Sequence, residues 1–338
     1  MPSVSVIVPC FNEEQTISQL LEAIYLQDFS RRNIEVIIAD GMSTDNSRFR
    51  IGKFKKKHTG LKLRIVDNPT RVIPAGLNKA IQAATGEYIL RLDAHCVPKP
   101  NYISLSVRDL ERNKGWNVGG VWEIKPPVPG WIAHSIALAA AHPLGVGDAF
   151  YRFTARAQEV DTVPFGAFRR SLVKEIGTFD ESLQTNEDYE FNTRVRQAGG
   201  RVWLNPAIKS IYYSRPTFYS LARQYARYGF WKFRMLRRYP RALRVRQALP
   251  PLFLLSLILF PLFAFLWSWL LWVLYLEMVL YGLLLFGAAL REAHRQKQML
   301  LTIGIPLAMA TMHLSWGAGF LWSALHPQII SPSAHPNG

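Results

Sequence analysis

A run of 42 residues, from 249 to 290, contains a single charged side chain, Glu277. A helix of that length would extend about 63 Å, which is too long for one membrane crossing and close to two. A second apolar stretch, residues 299–325, follows a short basic connection at 291–298. The sequence therefore predicts three transmembrane helices within residues 249–326. The alternative is a buried helical domain of a soluble protein.

The basic residues of the chain are concentrated beside these apolar stretches. The chain has 40 Lys and Arg against 24 Asp and Glu, a net charge of +16, and residues 222–246 hold nine basic side chains and no acidic one. A basic cluster next to an apolar run favours contact with anionic lipids over nucleic acid. The positive-inside rule places residues 232–246 and 291–297 in the cytosol and residues 327–338 outside it. We therefore expect a multi-pass protein of the cell membrane that has no nucleic-acid partner and a cytosolic N-terminal domain.

The chain has two cysteines, Cys10 and Cys96, which are too few for a disulfide framework or a zinc cluster. Its first residues enter a predicted strand at Val4 without a charged and then apolar leader, so we expect no secretory signal. Both observations fit an N-terminal domain that stays in the cytosol.

The part of the chain before residue 220 alternates between strand and helix patterns. Apolar strands are predicted at residues 4–9, 34–39, 61–66, 88–92, 116–123, 201–205 and 208–213, and helices at 16–26, 74–84, 131–150 and 186–197. This alternation predicts an α/β fold with a mostly parallel sheet flanked by helices. We assign residues 1–220 to this domain, 221–248 to a basic amphipathic interfacial segment, 249–326 to the membrane helices and 327–338 to a short tail.

The predicted strand at residues 88–92 runs into a polar tip that carries Asp93 and His95. Side chains two residues apart in an extended chain point to the same side, so these two can converge on one ligand. Open α/β sheets bind ligands at the carboxyl ends of their strands. The residue types favour a divalent cation that shares its remaining positions with a diphosphate. The alternative is an Asp that caps a helix beside an incidental surface His.

Six motifs of the chain, in order and spacing, resemble those of family-two glycosyltransferases, which have the A-type nucleotide-sugar fold. The motifs lie at residues 6–13, 40–45, 76–78, 93–95, 165–167 and 187–188. Within that family the chain resembles the succinoglycan-biosynthesis type of exopolysaccharide glucosyltransferase, which has a similar Asp-Ala-His tip and a similar segment at 224–229. The resemblance covers residues 4–215 closely and extends to the apolar region in its architecture.

The resemblance implies roles for individual residues. Asp93 corresponds to the first carboxylate of the family's Asp-x-Asp metal motif, and His95 replaces the last one. Imidazole binds first-row divalent metals well and Mg²⁺ poorly, so the expected divalent cation is Mn²⁺ or Mg²⁺ with a preference for Mn²⁺. Asp188 matches the general base of inverting relatives, and Glu187 is the reserve candidate. The implied nucleotide-sugar site contains Pro9, Asn12, Glu13, Asp40, Ser43, Asp45 and Asn78, with Asp40 hydrogen-bonded to uracil.

The implied activity is transfer of a hexose from a UDP-sugar to a polyprenyl-diphosphate-linked saccharide, in exopolysaccharide or cell-envelope polysaccharide synthesis. The cation would stabilise the leaving diphosphate, and the base would take the proton of the attacking hydroxyl. One base without a second nucleophilic carboxylate in the motifs favours single displacement with inversion. The alternative is a non-catalytic membrane scaffold that retains a nucleotide-sugar fold.

Three residues resemble the acceptor motif of membrane-bound relatives: Gln224, Arg227 and Tyr228. An aromatic face can pack on a sugar ring while an arginine binds a phosphate or carboxylate. The same segment has the pattern of an amphipathic interfacial helix whose arginines meet lipid headgroups, and the two interpretations are compatible.

Overall fold

The computed structural model describes residues 3–326. In chain order its elements are β1 (Val4–Cys10), α1 (Ile17–Tyr25), β2 (Ile34–Asp40), α2 (Ser47–Lys57), β3 (Lys62–Asp67), α3 (Ile73–Ala83), β4 (Tyr88–Arg91), β5 (Val97–Pro98), α4 (Tyr102–Glu111), β6 (Asn117–Lys125), α5 (Trp131–Ala140), α6 (Pro143–Val146), β7 (Gln158–Glu159), β8 (Ala167–Arg169), α7 (Leu172–Ile176), α8 (Glu187–Gln197), β9 (Val202–Tyr213), α9 (Phe218–Arg238), α10 (Val245–Phe263), α11 (Trp269–Gln296) and α12 (Leu301–Leu325). The tail predicted at 327–338 lies outside the described residues.

The first compact unit, residues 3–123 and 153–212, is built on a sheet with the strand order β3-β2-β1-β4-β8-β6-β9-β5. β2 and β4 both pair in parallel with β1, and β3 pairs in parallel with β2. β8 pairs antiparallel with β4 and β6, while β9 pairs antiparallel with β5 and β7. The predicted α/β sheet is confirmed in its parallel half. The antiparallel half makes the sheet mixed rather than mostly parallel.

The parallel strands form the core of this unit. Val6 and Val8 of β1 and Leu90 of β4 belong to the same buried cluster as Ile17 and Leu20 of α1. The apolar residues of α1 are three or four apart, which places them on the face that packs against the sheet. One boundary differs from the prediction, because residues 202–213 form the single strand β9 and not two strands.

The second compact unit, residues 124–152 and 213–326, is helical. The helix predicted at 131–150 is divided, because α5 ends at Ala140 and Pro143 begins the separate α6. The prediction assigned residues 124–152 to the N-terminal domain, whereas the structure groups them with the helical unit. The physical reason is apolar packing, since Ile136 of α5 shares a buried cluster with Leu301 and Ile305 of α12.

Two helices of this unit, α10 and α11, are long and apolar enough to cross a membrane, by length and composition. Many of their large apolar side chains are exposed, including Leu252, Trp272 and Leu283. The one charge of the run, Glu277, accepts a hydrogen bond of 3.0 Å from Ser256 Oγ on the neighbouring helix. These two helices correspond to the first two predicted spans.

The third predicted span, α12, differs from the other two because ten of its 25 residues are buried inside the helical unit, against two in α10 and three in α11. Gly229 of α9 lies against the backbone of Trp316, and Gly319 of α12 lies against the backbone of Ala226. A Cβ at Gly319 would come within 1.9 Å of the Ala226 carbonyl oxygen, so the close approach of α9 and α12 requires glycine. Among residues 3–326, two helices and not three meet the criteria of a membrane span.

Candidate active site

The polar tips of β1, β2 and β4 lie at one edge of the parallel sheet. The strand register places Cys10 of β1 beside Asp40 of β2, and Ile7 of β1 beside Arg91 of β4. The segments that leave these strands, at residues 11–14, 41–46 and 92–96, therefore start side by side. This edge is where open α/β sheets bind ligands.

The segments after β1 and β2 are joined by hydrogen bonds. Asn12 has a left-handed backbone conformation (φ 54°), which asparagine tolerates better than most residues. Its N–H donates to Ser43 Oγ at 2.9 Å, and its side-chain oxygen accepts the Thr44 N–H at 2.9 Å. The Glu14 N–H donates to Asp45 Oδ2 at 3.0 Å. These bonds join the two segments into a rim along the sheet edge, formed by Asn12, Ser43 and Asp45. Pro9 is half-buried near the end of β1.

Asp40 is fully buried beneath this rim. Its carboxylate accepts hydrogen bonds from Ser43 Oγ at 2.6 Å, from the Ser43 N–H at 3.0 Å and from Arg48 Nε at 2.6 Å. The same guanidinium reaches Asp67 at 2.5 Å. With 0% of its side chain exposed, Asp40 stabilises the turn after β2, and its hydrogen bond to uracil stays a prediction.

Asn78 is also buried, on α3, and its side chain makes hydrogen bonds within the protein. Its amide donates to the Phe179 carbonyl at 2.9 Å and to Glu181 Oε1 at 2.8 Å, and its oxygen accepts the Phe179 N–H at 2.9 Å. An amide whose donors and acceptor are used in this way has little capacity left for a nucleotide. Asn78 therefore holds residues 179–181, the segment that leads to α8.

An exposed aromatic ring stands at the same edge. Phe11 follows β1 with 43% of its surface exposed, and the Arg71 guanidinium lies 5.4 Å from the centre of its ring. A Cβ at Gly41 would lie 3.1 Å from the ring, so glycine at this position gives the ring its room.

The segment after β4 carries Asp93 and His95, both partly exposed. Asp93 Oδ1 accepts hydrogen bonds from Arg91 Nε at 3.2 Å and Nη2 at 3.1 Å. His95 Nδ1 lies 3.0 Å from Glu13 Oε1, and the Thr16 hydroxyl donates to Glu13 Oε2. Glu13, predicted to be a nucleotide-site residue, thus uses both carboxylate oxygens within the protein.

Arg91 is a buried cation that joins this segment to α8. Its Nη2 donates to Asp93 and also, at 2.7 Å, to Glu187 Oε1. Burial alone would lower the pKa of Arg91, but Asp93, Glu187 and Asp188 raise it above its ordinary value. Glu187 has fewer compensating charges: burial raises its pKa to about 6 despite Arg91, and Asp188 adds to the rise.

Asp188 lies beside Glu187 in the first turn of α8 and is partly exposed. The residue before the helix, Asn186, has a left-handed conformation (φ 71°). Asp188 Oδ1 accepts the Tyr189 N–H at 2.7 Å. Of the two adjacent acids, Glu187 is committed to Arg91 and Asp188 is the one that reaches the surface.

Carboxylates dominate the electrostatics of this edge. Burial, and then Asp40, Glu13 and Asp45, raise the pKa of the Cys10 thiol to about 12. Within residues 3–326 no three His, Cys, Asp or Glu side chains are grouped as a complete metal site. A carboxylate and an imidazole, Asp93 and His95, fit a first-row divalent cation that takes its other ligands from a bound diphosphate.

The sequence comparison identifies the family. The family model described as "Glycosyl transferase family 2" matches residues 5–177, more than half of the chain. The chain belongs to glycosyl transferase family 2. This finding confirms the family predicted from the six motifs.

The similarity of the family 2 chain to individual relatives extends beyond residues 5–177. The succinoglycan biosynthesis protein ExoA of Rhizobium meliloti (strain 1021) is 27% identical over 323 residues, which cover 95% of this chain and 94% of the relative. The dolichyl N-acetyl-alpha-D-glucosaminyl phosphate 3-beta-D-2,3-diacetamido-2,3-dideoxy-beta-D-glucuronosyltransferase of Methanococcus voltae is 30% identical over 242 residues, which cover 70% of this chain and 75% of the relative. The predicted resemblance to the succinoglycan type is confirmed.

A solved structure supports the fold. The mannosyltransferase PcManGT from Pyrobaculum calidifontis, in complex with GDP-Man and Mn²⁺, has a TM-score of 0.64 at 20% identity. The match covers 96% of this chain and 88% of that one. The family 2 chain therefore has the predicted A-type glycosyltransferase fold.

The predicted acceptor residues of the family 2 chain lie on α9, in the helical unit. Gln224 Nε2 donates to the Tyr228 hydroxyl at 2.9 Å, and Arg227 is exposed. Leu221 and Tyr225 are buried among the other helices of the unit, and Tyr228 packs against the same cluster. The predicted roles of this segment, at the membrane interface and in acceptor binding, stay predictions.

One residue of the site, Arg91, was not among the predicted site residues. The sequence does contain a signal for it, because Arg91 is a charged residue inside an otherwise apolar strand, residues 88–92. A buried cation requires an anionic partner. The sequence does not show which of the acidic residues supplies that partner, since Glu187 lies 96 positions away.

Proposed function

We propose that the chain is a membrane-anchored, inverting hexosyltransferase that uses a UDP-sugar and a polyprenyl-diphosphate-linked saccharide. The observation that carries the proposal is the Arg91 bridge. In a chain of glycosyl transferase family 2, one buried guanidinium holds the carboxylate Asp93 and the pair Glu187–Asp188 in one site. The reaction needs those two groups of acids for two different tasks.

The first task is to bind the donor and its leaving group. A divalent cation, when bound, would stabilise the negative charge that develops on the diphosphate. Asp93 and His95 are the residues that would hold it. The rim formed by Asn12, Ser43 and Asp45 would enclose the nucleotide, and the exposed ring of Phe11 offers a face on which a base can stack.

The second task is to remove the proton of the attacking hydroxyl. Asp188 suits this role because it is partly exposed and lies in the first turn of α8, where the helix dipole favours the ionised form of a base. Glu187 suits it less well, because its carboxylate is buried against Arg91. A single base, with no second nucleophilic carboxylate in the six motifs, supports one displacement with inversion at the anomeric carbon.

Features of the helical unit support the proposal of a lipid-linked acceptor. α10 and α11 have exposed apolar side chains along their length, and nine basic residues lie in residues 222–246, which end in the first turn of α10. This combination fits two crossings of a membrane with anionic lipids on the cytosolic side. Gln224, Arg227 and Tyr228 would bind the saccharide or its phosphates. The name of the Methanococcus voltae relative contains a dolichyl phosphate derivative, which supports a lipid-linked acceptor, and the name of the Rhizobium meliloti relative supports a role in polysaccharide synthesis.

Both connections to the two-helix hairpin lie on one side of the membrane in this arrangement. The basic residues at 232–246 and at 291–297 would then both face the cytosol, as the positive-inside rule requires. The turn at 264–268 would face the opposite side, where tryptophans such as Trp267 commonly anchor.

A panel of nucleotide sugars tests the proposal against the scaffold alternative. Purified full-length protein is incubated with each nucleotide sugar and Mn²⁺, and release of the nucleoside diphosphate is measured with and without a lipid-linked saccharide extract. We expect turnover of a UDP-hexose that the acceptor stimulates and excess chelator stops. No turnover with any member of the panel would favour the non-catalytic scaffold.

A further inference from the structure

The contact between Glu13 and His95 carries an inference about metal binding, which rests on the proposed function. Glu13 Oε1 lies 3.0 Å from His95 Nδ1, and Glu13 Oε2 accepts a hydrogen bond from the Thr16 hydroxyl. The Glu13 backbone is fixed as well, because its N–H donates to Ser47 Oγ at 2.7 Å. The carboxylate is therefore held in place on the side of His95 Nδ1.

A carboxylate at one ring nitrogen determines what the other nitrogen does. A proton shared with Glu13 resides on Nδ1, so the lone pair of the neutral imidazole resides on Nε2. Histidines that bind metals commonly donate their second ring N–H to a carboxylate, which fixes the ring orientation and raises the basicity of the binding nitrogen. The pair Glu13–His95 has the composition and the distance of such an arrangement.

We propose that Glu13 is a positioning residue that orients His95 toward a divalent cation, and that the pair favours Mn²⁺ over Mg²⁺. Glu13 then acts through His95 and not on the nucleotide, since both of its carboxylate oxygens are used inside the protein. The preference follows from the ligand, because imidazole is a better partner for first-row transition metals than for Mg²⁺.

The proposal predicts that one substitution has different effects in two backgrounds. In the wild-type chain, Glu13→Gln removes the charge that supports His95, and Mn²⁺ affinity should fall about tenfold, as for other outer-shell partners. In a His95→Asp chain there is no imidazole for Glu13 to orient, so Glu13→Gln should change Mn²⁺ affinity by less than about twofold. The double variant should also bind Mg²⁺ better relative to Mn²⁺ than the wild-type chain does, since both of its metal-binding side chains are carboxylates.

The measurement is Mn²⁺ binding by electron paramagnetic resonance, on the full-length protein in detergent with saturating UDP or GDP, with Mg²⁺ as competitor. Glu14→Gln is the matched control, because it removes the same charge one position away. Its carboxylate contacts Asn46 and not His95, so Mn²⁺ affinity should stay within about twofold of the wild-type value. Glu13→Asp keeps the charge but shortens the reach, so it should lose affinity as Glu13→Gln does.

Two results would overturn the proposal. The first is a Glu13→Gln chain with wild-type Mn²⁺ affinity, at a thermal stability that shows it folded. The second is a loss of equal size in the wild-type and His95→Asp backgrounds, which would make Glu13 a direct ligand or a source of general charge. The readout does not depend on sugar transfer, so a chain that binds Mn²⁺ as predicted but transfers no sugar would contradict the proposed function alone.

Discussion

Replacing Arg91 by methionine should strongly destabilise the sheet unit. The substitution removes the guanidinium that contacts both Glu187 and Asp93, whose side chains are 7% and 21% exposed. Removing one partner of a buried ion pair costs about 3–5 kcal/mol, because the remaining charge stays buried without compensation. The lower figure corresponds to a roughly 100-fold loss of protection in hydrogen exchange.

Hydrogen exchange followed by mass spectrometry measures this effect in the full-length protein. Peptides that cover β4 and α8 should exchange about 100-fold faster in Arg91→Met, while peptides from α11 in the helical unit should be unchanged. The matched control is Arg169→Met, which removes a guanidinium from an exposed ion pair with Glu87, at 42% and 52% exposure. Exposed pairs contribute about 0–1 kcal/mol, so this control should stay close to wild type.

The pH dependence of the defect tests the electrostatic reasoning. Folding raises the pKa of Glu187 from 4.5 to about 6, so its contribution to stability is complete below pH 4.5 and is lost as the pH rises through 6. Without Arg91 the pKa would rise further, and the carboxyl would be neutral at pH 5. The difference in protection between Arg91→Met and wild type should therefore be smaller at pH 5 than at pH 8. A defect of equal size at both values, or wild-type protection at pH 8, would refute the reasoning.

The remaining predictions concern metal binding, stacking of the nucleotide base, membrane orientation and the buried carboxylate of Glu35. Asp93→Asn should lower turnover by several orders of magnitude in a steady-state assay, and full activity of the wild-type protein in excess chelator would contradict the metal assignment. Phe11→Ala should weaken UDP binding about tenfold in calorimetry through loss of a stacking face, whereas Phe49→Ala, at a more exposed ring on α2, should not. A cysteine at Ser268, in a chain without its native cysteines, should react with a membrane-impermeant thiol reagent on intact cells. Labelling only after cell lysis would contradict the proposed orientation. Burial would raise the pKa of Glu35, but hydrogen bonds from neighbouring hydroxyl, amide and guanidinium groups lower it from 4.5 to about 2. Its stabilising effect is therefore complete above pH 4.5 and is lost as the pH falls toward 2, so Glu35→Gln should lower the melting temperature more at pH 7 than at pH 3.

The sequence predicted those elements of the fold that a local residue pattern is sufficient to identify. The buried strands β1, β2 and β4 have nearly continuous apolar runs, and α1 has its apolar residues three or four apart, so both types were predicted from short windows. The antiparallel half of the sheet was not predicted, because β8 is three residues long and its pairing with β4 joins positions about 80 residues apart. The burial of α12 was missed for a related reason, since its apolar composition does not reveal that it packs against α9.

The sequence predicted most of the residues that belong to the candidate site, but it did not predict most of the contacts that they make. Asp93, His95 and the pair Glu187–Asp188 lie at the strand tip and the helix start where the sequence placed them. The motif residues Asp40 and Asn78 have contacts inside the protein that no local pattern shows. Two carboxylates that look alike in the sequence can differ in this way, because burial and partners are set by residues distant in the chain.

The central claim, that Asp188 is the base of an inverting sugar transfer, is tested most directly by Asp188→Asn. The assay measures transfer from a UDP-hexose to the lipid-linked acceptor, with calorimetry of UDP and Mn²⁺ on the same protein. A base acts on the proton of the acceptor and not on the nucleotide. We therefore predict that transfer is abolished while nucleotide affinity stays near its wild-type value. Transfer that survives while nucleotide affinity is lost would contradict the claim.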